Sequence, residues 1–137
     1  RAGRQVTLIE GNATVGRKLL VTGAGRANLT NRYASAERYT CADPQWMETV
    51  LARCGHADTI AFLESIGVLT YATSDGWCYP LSESAQTVVD TFANALRLAD
   101  ARLLLDHKVT SLRQDINGFE IIFKTARNRC LVHKITP

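Results

Sequence analysis

The run Gln-Val-Thr-Leu-Ile-Glu-Gly-Asn at residues 5–12 decides the fold of this chain. Its first five residues are largely apolar or β-branched and turn-forming residues follow at once, which predicts a buried parallel strand and an α/β fold. Glu10 lies just beyond the carboxyl end of that strand. In nucleotide-binding βαβ units an acid at this place accepts the hydroxyl groups of an adenosine ribose, because one carboxylate takes two donors. Surface acids also follow strands without any function.

A glycine-rich basic segment comes next, Gly-Arg-Lys-Leu-Leu-Val-Thr-Gly-Ala-Gly-Arg-Ala-Asn-Leu-Thr-Asn at residues 16–31. Glycines let a backbone approach an anion closely and turn its N–H groups towards it. Basic residues neutralise the anion and polar residues orient hydrogen bonds to it; they are Arg17, Lys18, Arg26, Thr22, Asn28 and Asn31. We expect a loop that holds a phosphate or a flavin, with one short helical turn within Val15–Val21. It is not a Walker motif, and the same groups would also bind nucleic-acid phosphates.

The middle of the chain is predicted to be helical around one hairpin. Asp43-Pro44 begins a helix that ends before Gly55, and a second helix runs from about Ala57 to Gly67. Short strands at Val68–Ala72 and Trp77–Tyr79 follow. A third helix has a core-facing stripe of apolar residues at helical spacing: Ala85, Val88, Val89, Phe92, Leu96 and Ala99.

The last third of the chain has the pattern of strands. They are predicted at Leu103–Leu105, Lys108–Gln114, Phe119–Lys124 and Cys130–Ile135, with turns at Asn117-Gly118 and Arg127-Asn128. The last three should form an antiparallel meander. Phe119, Ile121 and Phe123 alternate with Glu120 and Lys124. One face of the meander is therefore expected to be buried and the other largely exposed to solvent.

The composition indicates one ordinary globular domain. The chain has 137 residues, of which 46% are hydrophobic and 21% charged. No apolar run approaches the roughly 18 residues of a membrane helix, and no signal peptide is visible, so we expect a cytoplasmic protein without a membrane partner. The cysteines have no metal-site spacing to one another or to the histidines, so buried, reduced thiols and no metal site are expected: Cys41, Cys54, Cys78 and Cys130.

Charge is unevenly distributed along the chain. Basic residues exceed acidic ones by five over residues 1–38 and by four over residues 102–137, whereas acids exceed bases by six over residues 39–101. Two basic segments that meet in space would receive a phosphorylated ligand. Solvated surface charges also produce such asymmetry by chance.

Several segments together resemble a known family. Val-Thr-Leu-Ile-Glu at 6–10, the segment at 16–31, Tyr-Pro-Leu-Ser-Glu-Ser-Ala at 79–85 and Val-Val-Asp at 88–90 are similar, in the same order, to the BaiN/YhiN-type NAD(P)/FAD-dependent oxidoreductases, also described as aminoacetone oxidase-like flavoproteins. The resemblance implies that residues 1–137 are part of an FAD-binding, Rossmann-like α/β domain of the two-dinucleotide-binding-domain type, with a helical insertion and an antiparallel β-meander. It also implies NAD(P)H as the hydride donor.

The resemblance implies roles for individual residues. Glu10 would hold the adenosine ribose, Arg17 and Lys18 would lie near the pyrophosphate or the flavin, and the loop at 22–28 would pass the isoalloxazine ring. The backbone of Val109 would contact the adenine. The predicted cofactor-binding residues are therefore Glu10, Arg17, Lys18, Thr22, Gly23, Gly25, Arg26, Asn28 and Val109. No residue of the chain is a convincing catalytic acid or base, so the catalytic residues stay unassigned. His107 and Tyr79 could serve, although a lone histidine beside a strand is more often structural.

The chain departs from the family pattern. The family's Gly-x-Gly-x-x-Gly turn is expected before Arg1, where Arg1–Gly3 would end the following helix, and an Ala-Thr-Gly-Gly strand is expected beyond Pro137. Ala24 and Ala27 stand where the family usually has Asn and Cys. These departures indicate a domain truncated at both ends.

Three hypotheses follow. The first is the FAD-binding portion of an oxidoreductase that passes hydride from NAD(P)H through FAD to a small-molecule substrate. The second is a non-catalytic, truncated remnant that does not bind FAD on its own and self-associates through an exposed sheet edge. The third is a nucleic-acid-binding loop, against which the aromatic content of 7% argues.

Overall fold

A computed structural model describes residues 5–125 and 130–135. The elements in chain order are β1 (Thr7–Ile9), α1 (Arg17–Leu20), β2 (Thr30–Asn31), α2 (Pro44–Arg53), α3 (His56–Ser65), β3 (Thr70–Ala72), β4 (Trp77–Pro80), α4 (Ala85–Leu98), β5 (Arg102–Leu104), β6 (His107–Asp115), β7 (Gly118–Thr125) and β8 (Cys130–Ile135). Short 3₁₀ segments occur at Thr22–Gly25 and Ala36–Arg38. The chain divides into two compact units: unit 1 is Arg1–Val15 with Leu96–Pro137, and unit 2 is Gly16–Ala95.

Unit 1 contains the parallel strand pair that the opening run predicts. β1 pairs in parallel with β5, with Leu8 opposite Leu103. The backbone N–H of Glu10 extends this pairing by donating to the carbonyl of Leu104 at 2.8 Å. The parallel strand is confirmed, but its predicted burial is incomplete, because Thr7 is exposed while Leu8 and Ile9 are half-buried.

The second sheet of unit 1 is the antiparallel meander β6–β7–β8. Its first turn is stabilised by the Asn117 N–H, which donates to Oδ1 of Asp115 at 2.7 Å. Phe123 is buried as predicted, but the expected burial of Phe119 is wrong, because 43% of that residue is exposed. The predicted turn at Arg127-Asn128 and the predicted helix end at Arg1–Gly3 lie outside the described residues.

The core of unit 2 forms where α4 meets the glycine-rich segment and α3. Its buried members are Ala27, Leu63, Val68, Ala85 and Val88, with Leu19, Leu20, Leu29, Ile66 and Phe92 packed against them. The apolar stripe predicted for α4 is therefore confirmed through Phe92. Ala99 does not belong to it, because the helix ends at Leu98 and Ala99 is exposed.

Local signals set the beginnings of α2 and α3. Oδ1 of Asp43 accepts the N–H of Trp46 at 3.0 Å, which makes Asp43 the predicted N-cap, and Pro44 occupies the first helical position. At α3 the side chain of Asp58 accepts the N–H of Gly55 at 3.0 Å. α2 buries none of its residues, and Trp46 in its first turn is 57% exposed.

A three-stranded antiparallel sheet, in the order β2–β4–β3, completes unit 2. The hairpin of β3 and β4 was predicted, whereas β2 was not, since residues 16–31 were read as a loop. Thr30 and Asn31 pair with Cys78 and Trp77, and this pairing makes the end of that segment a strand.

The four thiols are not uniformly buried. Cys78 is buried, which raises the pKa of its thiol, whereas Cys54 and Cys130 are exposed and Cys41 is half-buried. The expectation of buried thiols is thus wrong for Cys54 and Cys130. Over residues 5–125 and 130–135, no helix has the length and apolar character needed to cross a membrane.

Candidate functional site

The segment at residues 16–31 has left-handed residues on both sides of α1. Five of its residues have positive φ: Gly16 at 72°, Gly23 at 55°, Ala24 at 55°, Gly25 at 86° and Ala27 at 67°. The N–H groups of Arg26 and Ala27 donate within the turn, to the carbonyls of Gly23 and Thr22 at 3.2 Å each, and the backbone of Gly25 is left exposed. The glycines of this segment predict N–H groups that are turned towards an anion, and this stays a prediction; the left-handed conformation itself extends to Ala24 and Ala27.

Thr22 makes hydrogen bonds within the turn through its hydroxyl and its carbonyl. Its hydroxyl donates to the carbonyl of Leu19 at 2.9 Å and accepts the N–H of Asn28 at 3.3 Å. Its carbonyl accepts the N–H of Ala27 at 3.2 Å. The structure therefore places Thr22 as the side chain that joins the two ends of the 22–28 loop.

Gly23 and Gly25 differ in the space around them. A Cβ on Gly23 would lie 2.3 Å from Oδ1 of Asn28 and 2.9 Å from the ring of Tyr79. A Cβ on Gly25 would have no atom of a described residue within 4 Å. Gly23 is therefore required by packing inside the protein, whereas Gly25 presents an open, exposed backbone.

Arg26 is held by a cluster of side chains that the sequence analysis did not identify. Its guanidinium carbon lies 4.1 Å above the ring centre of Tyr79, its Nε donates to the carbonyl of Gly23 at 3.2 Å, and its Nη1 lies 3.6 Å from Oε2 of Glu83. The hydroxyl of Tyr71 donates to Oε1 of the same Glu83. This hydrogen bond, followed by burial and the carboxylate charge, raises the pKa of Tyr71. We name Arg26, Tyr71, Tyr79 and Glu83 the Arg26 cluster.

The other basic residues of the segment lie on α1. Arg17 and Lys18 are exposed, and they occupy the first two positions of this four-residue helix. Gly16, which precedes them, packs so closely on α4 that a Cβ there would lie 2.6 Å from Cγ2 of Val89. The site residues predicted in unit 2 thus share one segment that is anchored on α4.

Glu10 and Val109 belong to unit 1. Oε1 of Glu10 accepts the backbone N–H of Asn12 at 2.8 Å and its side-chain Nδ2 at 2.6 Å, so the carboxylate is fixed at the end of β1. The carbonyl of Glu10 accepts the N–H of His107 at 2.8 Å, which brings it beside the start of β6. Val109, two residues further along β6, is 45% exposed and precedes a β-bulge at which Thr110 has no partner in the register.

The two groups available for acid–base work are both engaged in packing. Nδ1 of His107 makes a hydrogen bond with the carbonyl of Leu105, and its ring meets Phe123 edge-on at 4.9 Å. Tyr79 is buried under Arg26 in unit 2. Nδ1 of His107 and the ring of Tyr79 are thus both engaged by contacts within their own units.

The residues present fit a dinucleotide in their chemistry. A carboxylate follows a parallel strand in unit 1, and unit 2 supplies a left-handed turn with an open glycine backbone and two exposed cations. These are the groups that bind ribose hydroxyls and a pyrophosphate. This comparison of residue chemistry with ligand chemistry is made within each unit separately.

The family described as HI0933-like protein Rossmann domain matches residues 1–135. The chain is 33% identical over 117 residues to the 3-dehydro-bile acid delta(4,6)-reductase of Clostridium scindens, which covers 85% of this chain and 28% of that protein. It is 31% identical over 121 residues to the ribosomal RNA dihydrouridine synthase of Escherichia coli, covering 88% of this chain and 30% of that protein. The chain thus spans about three tenths of the length of the curated relatives it matches.

A solved structure shares the fold. THI4 of Thermovibrio ammonificans superposes with a TM-score of 0.60 at 12% identity, covering 96% of this chain and 45% of that one. At this identity the likeness concerns the fold alone, and it agrees with the Rossmann-like α/β class that the sequence predicts.

Proposed function

The chain belongs to the HI0933-like Rossmann-domain family, the BaiN/YhiN-type flavoproteins, and on that premise we propose that it is the FAD-binding part of a flavin-dependent oxidoreductase. FAD, when bound, supplies the hydride chemistry. The residues of this chain bind and orient the cofactor.

The observation that carries the proposal is the left-handed turn at residues 22–27. Gly25 in this turn has a φ of 86° and is exposed, and no described atom lies within 4 Å of the place that a Cβ would take. An open backbone of this kind lets a ligand approach more closely than any side chain allows.

The remaining roles are divided between the two units. Glu10 holds the adenosine ribose, and the backbone at Val109 contacts the adenine. Arg17 and Lys18 neutralise the pyrophosphate. Gly23, Thr22 and the Arg26 cluster shape the turn that faces the flavin.

The substrate and the electron donor are also part of the proposal. The names of the two relatives describe reductions, one of a bile acid and one that yields dihydrouridine in ribosomal RNA. We propose NAD(P)H as the donor, a small unsaturated molecule as the acceptor and the cytoplasm as the place of action.

RNA is the second candidate substrate. Exposed aromatic and arginine side chains interleave between residues 32 and 39: Arg32, Tyr33, Arg38 and Tyr39. Aromatic faces stack on unpaired bases, and arginines bind their phosphates. Binding of an oligouridine that weakens steeply between 50 and 200 mM salt, on the order of the counterion effect, would favour RNA over a small molecule.

Titration of the purified chain with FAD tests the proposal. We expect flavin fluorescence to be quenched on binding, and Glu10→Ala to weaken the affinity about tenfold or more, as expected for lost hydrogen bonds to a charged group. Glu48→Ala, which removes an exposed acid of α2, is the matched control. A wild-type chain that ignores FAD would instead support the remnant that does not bind the cofactor on its own.

A further inference from the structure

Unit 2 contains a cavity of about 600 Å³ that the predicted cofactor residues do not explain. It lies between the β2–β4 pair and the beginning of α3, and Asn28 is the one predicted cofactor-binding residue in its lining. Volumes of 300–1,000 Å³ are typical of sites for small molecules. Because Asn28 also ends the 22–28 loop, the cavity adjoins the segment proposed to face the flavin.

Two polar side chains of the cavity wall have groups without a partner among the described residues. Nδ1 of His56 is buried and has no hydrogen-bond partner among the described residues. No described residue forms an ion pair with Arg38, which also lines the cavity. A buried nitrogen without a partner is costly, so such an atom commonly meets a ligand or an ordered water. An arginine without a carboxylate partner remains available as a two-pronged donor to an oxyanion.

Aromatic rings flank these polar groups. Tyr39 and Trp77 line the same cavity and are 45% and 42% exposed. Their faces offer a large apolar contact to a flat ring or a conjugated chain.

We propose that this cavity binds a flat, conjugated molecule that carries an oxyanion, with Arg38 on the anion and His56 as a hydrogen-bond partner. Assigning this ligand as the hydride acceptor rests on the proposed function. The binding itself does not, because every residue involved belongs to unit 2 and the anion-binding measurements below are made without FAD.

Tryptophan fluorescence reports on the cavity directly. The chain has two tryptophans, so Trp46→Phe leaves Trp77 in the cavity wall as the single emitter. The probes are trans-cinnamate, phenyl phosphate and, as the uncharged counterpart, cinnamamide. We expect at least one anion to change the emission of Trp77 in a saturable manner, and the preferred anion distinguishes a carboxylate ligand from a phosphate ligand.

Variants then test the assignment of the anion. Arg38→Ala should weaken binding of the preferred anion about tenfold or more and leave cinnamamide unchanged, with Arg38→Lys between the two. Arg53→Ala removes an exposed arginine of α2 outside the cavity and should have no effect. His56→Phe should weaken binding of the anion and of cinnamamide alike.

Three results would overturn the proposal: saturable binding of neither anion, equal losses in Arg38→Ala and Arg53→Ala, or a loss of FAD affinity in Arg38→Ala. The last would make the cavity part of the cofactor site. Failure of the chain to bind FAD, with anion binding intact, would refute the proposed function and leave the cavity assignment standing.

Discussion

Gly23 shows how one residue of the turn is constrained twice. Its φ of 55° disfavours any side chain, and its surroundings leave no room for a Cβ, whereas Gly25 shares only the first constraint. Gly25→Ala should therefore lower the free energy of unfolding by about 1–2 kcal/mol, the cost of a left-handed alanine. Gly23→Ala should lower it by a further ~1–3 kcal/mol through steric overlap. Urea unfolding followed by circular dichroism compares the two, and equal losses would contradict the close packing.

Glu83 gives a second prediction at the residue scale. Because its carboxylate raises the pKa of Tyr71, Glu83→Gln should lower that pKa towards the ordinary tyrosine value. A group whose pKa is raised in the folded state stabilises the fold at pH values below its ordinary pKa. This stabilisation is lost as the pH rises through the raised pKa of the folded state. The wild-type chain should thus lose more stability than the variant in strong alkali. Absorbance at 295 nm as a function of pH measures the titration, with Glu64→Gln on α3 as the control that should leave it unchanged.

The sequence predicted the turn at this scale but not what holds Arg26. Glycines and basic residues signal an anion loop through local chemistry alone. The ion pair with Glu83 joins residues that lie far apart in the chain, and it exists only because the sheet packs beside the loop. Glu83 lies in the segment 79–85, which contributes to the family resemblance, but the resemblance implies no role for this residue. Ala24 has a φ of 55°, a region that Asn tolerates better than Ala, which agrees with the asparagine that the resemblance implies at this position.

At the scale of elements, α2 depends on its N-cap. Asp43→Ala removes the acceptor for the N–H of Trp46 and should destabilise unit 2 by about 1 kcal/mol. Asp43→Asn retains an oxygen at that place and should cost little. Thermal unfolding of the three chains separates the outcomes, and an equal loss in both variants would show that the charge matters more than the hydrogen bond.

Elements that are marked by residues close together in the sequence were predicted. Elements that depend on pairing between residues far apart in the sequence were not. Caps and apolar periodicity identified α2, α3 and α4, while turn residues identified the hairpin and the first turn of the meander. β2 escaped prediction because its two residues become a strand only through β4, almost fifty positions later. The exposure of Trp46 could not be predicted either, because the pattern of a helix shows which residues share a face and not what covers that face.

For the whole molecule, the predicted sheet edge has consequences for association. Within residues 5–125 and 130–135, β1 and β5 pair only with each other, and Val6 beside them is 56% exposed. We expect the isolated chain to self-associate along this edge. Val6→Lys should reduce the associated fraction in sedimentation experiments, because a charge disfavours further strand pairing. Ile116→Lys, at a turn residue that is 99% exposed, is the control and should leave association unchanged.

The α/β class and the parallel pairing of β1 were predictable because a short apolar run followed by turn residues is typical of a parallel strand. The division into two units was not, since no linker or change in composition marks residues 15 and 96. Four segments carried the family resemblance, and these lie in both units. The cavity at Arg38 and His56 had no signal in the sequence, because its walls come from elements that share no motif.

The unpaired Thr110 in β6 makes the strand tolerant of a one-residue deletion. Ser111 already pairs with Ile122 and Val109 with Phe123, so a chain without Thr110 would close into a regular ladder and keep every other partner. Such a deletion should preserve the β-sheet circular dichroism of unit 1 and straighten the strand at Val109. Titration of this variant with FAD would then show whether the bend at Val109 contributes to the affinity for the cofactor, because the sheet itself is retained. A collapse of the sheet signal would show that the extra residue is needed for folding.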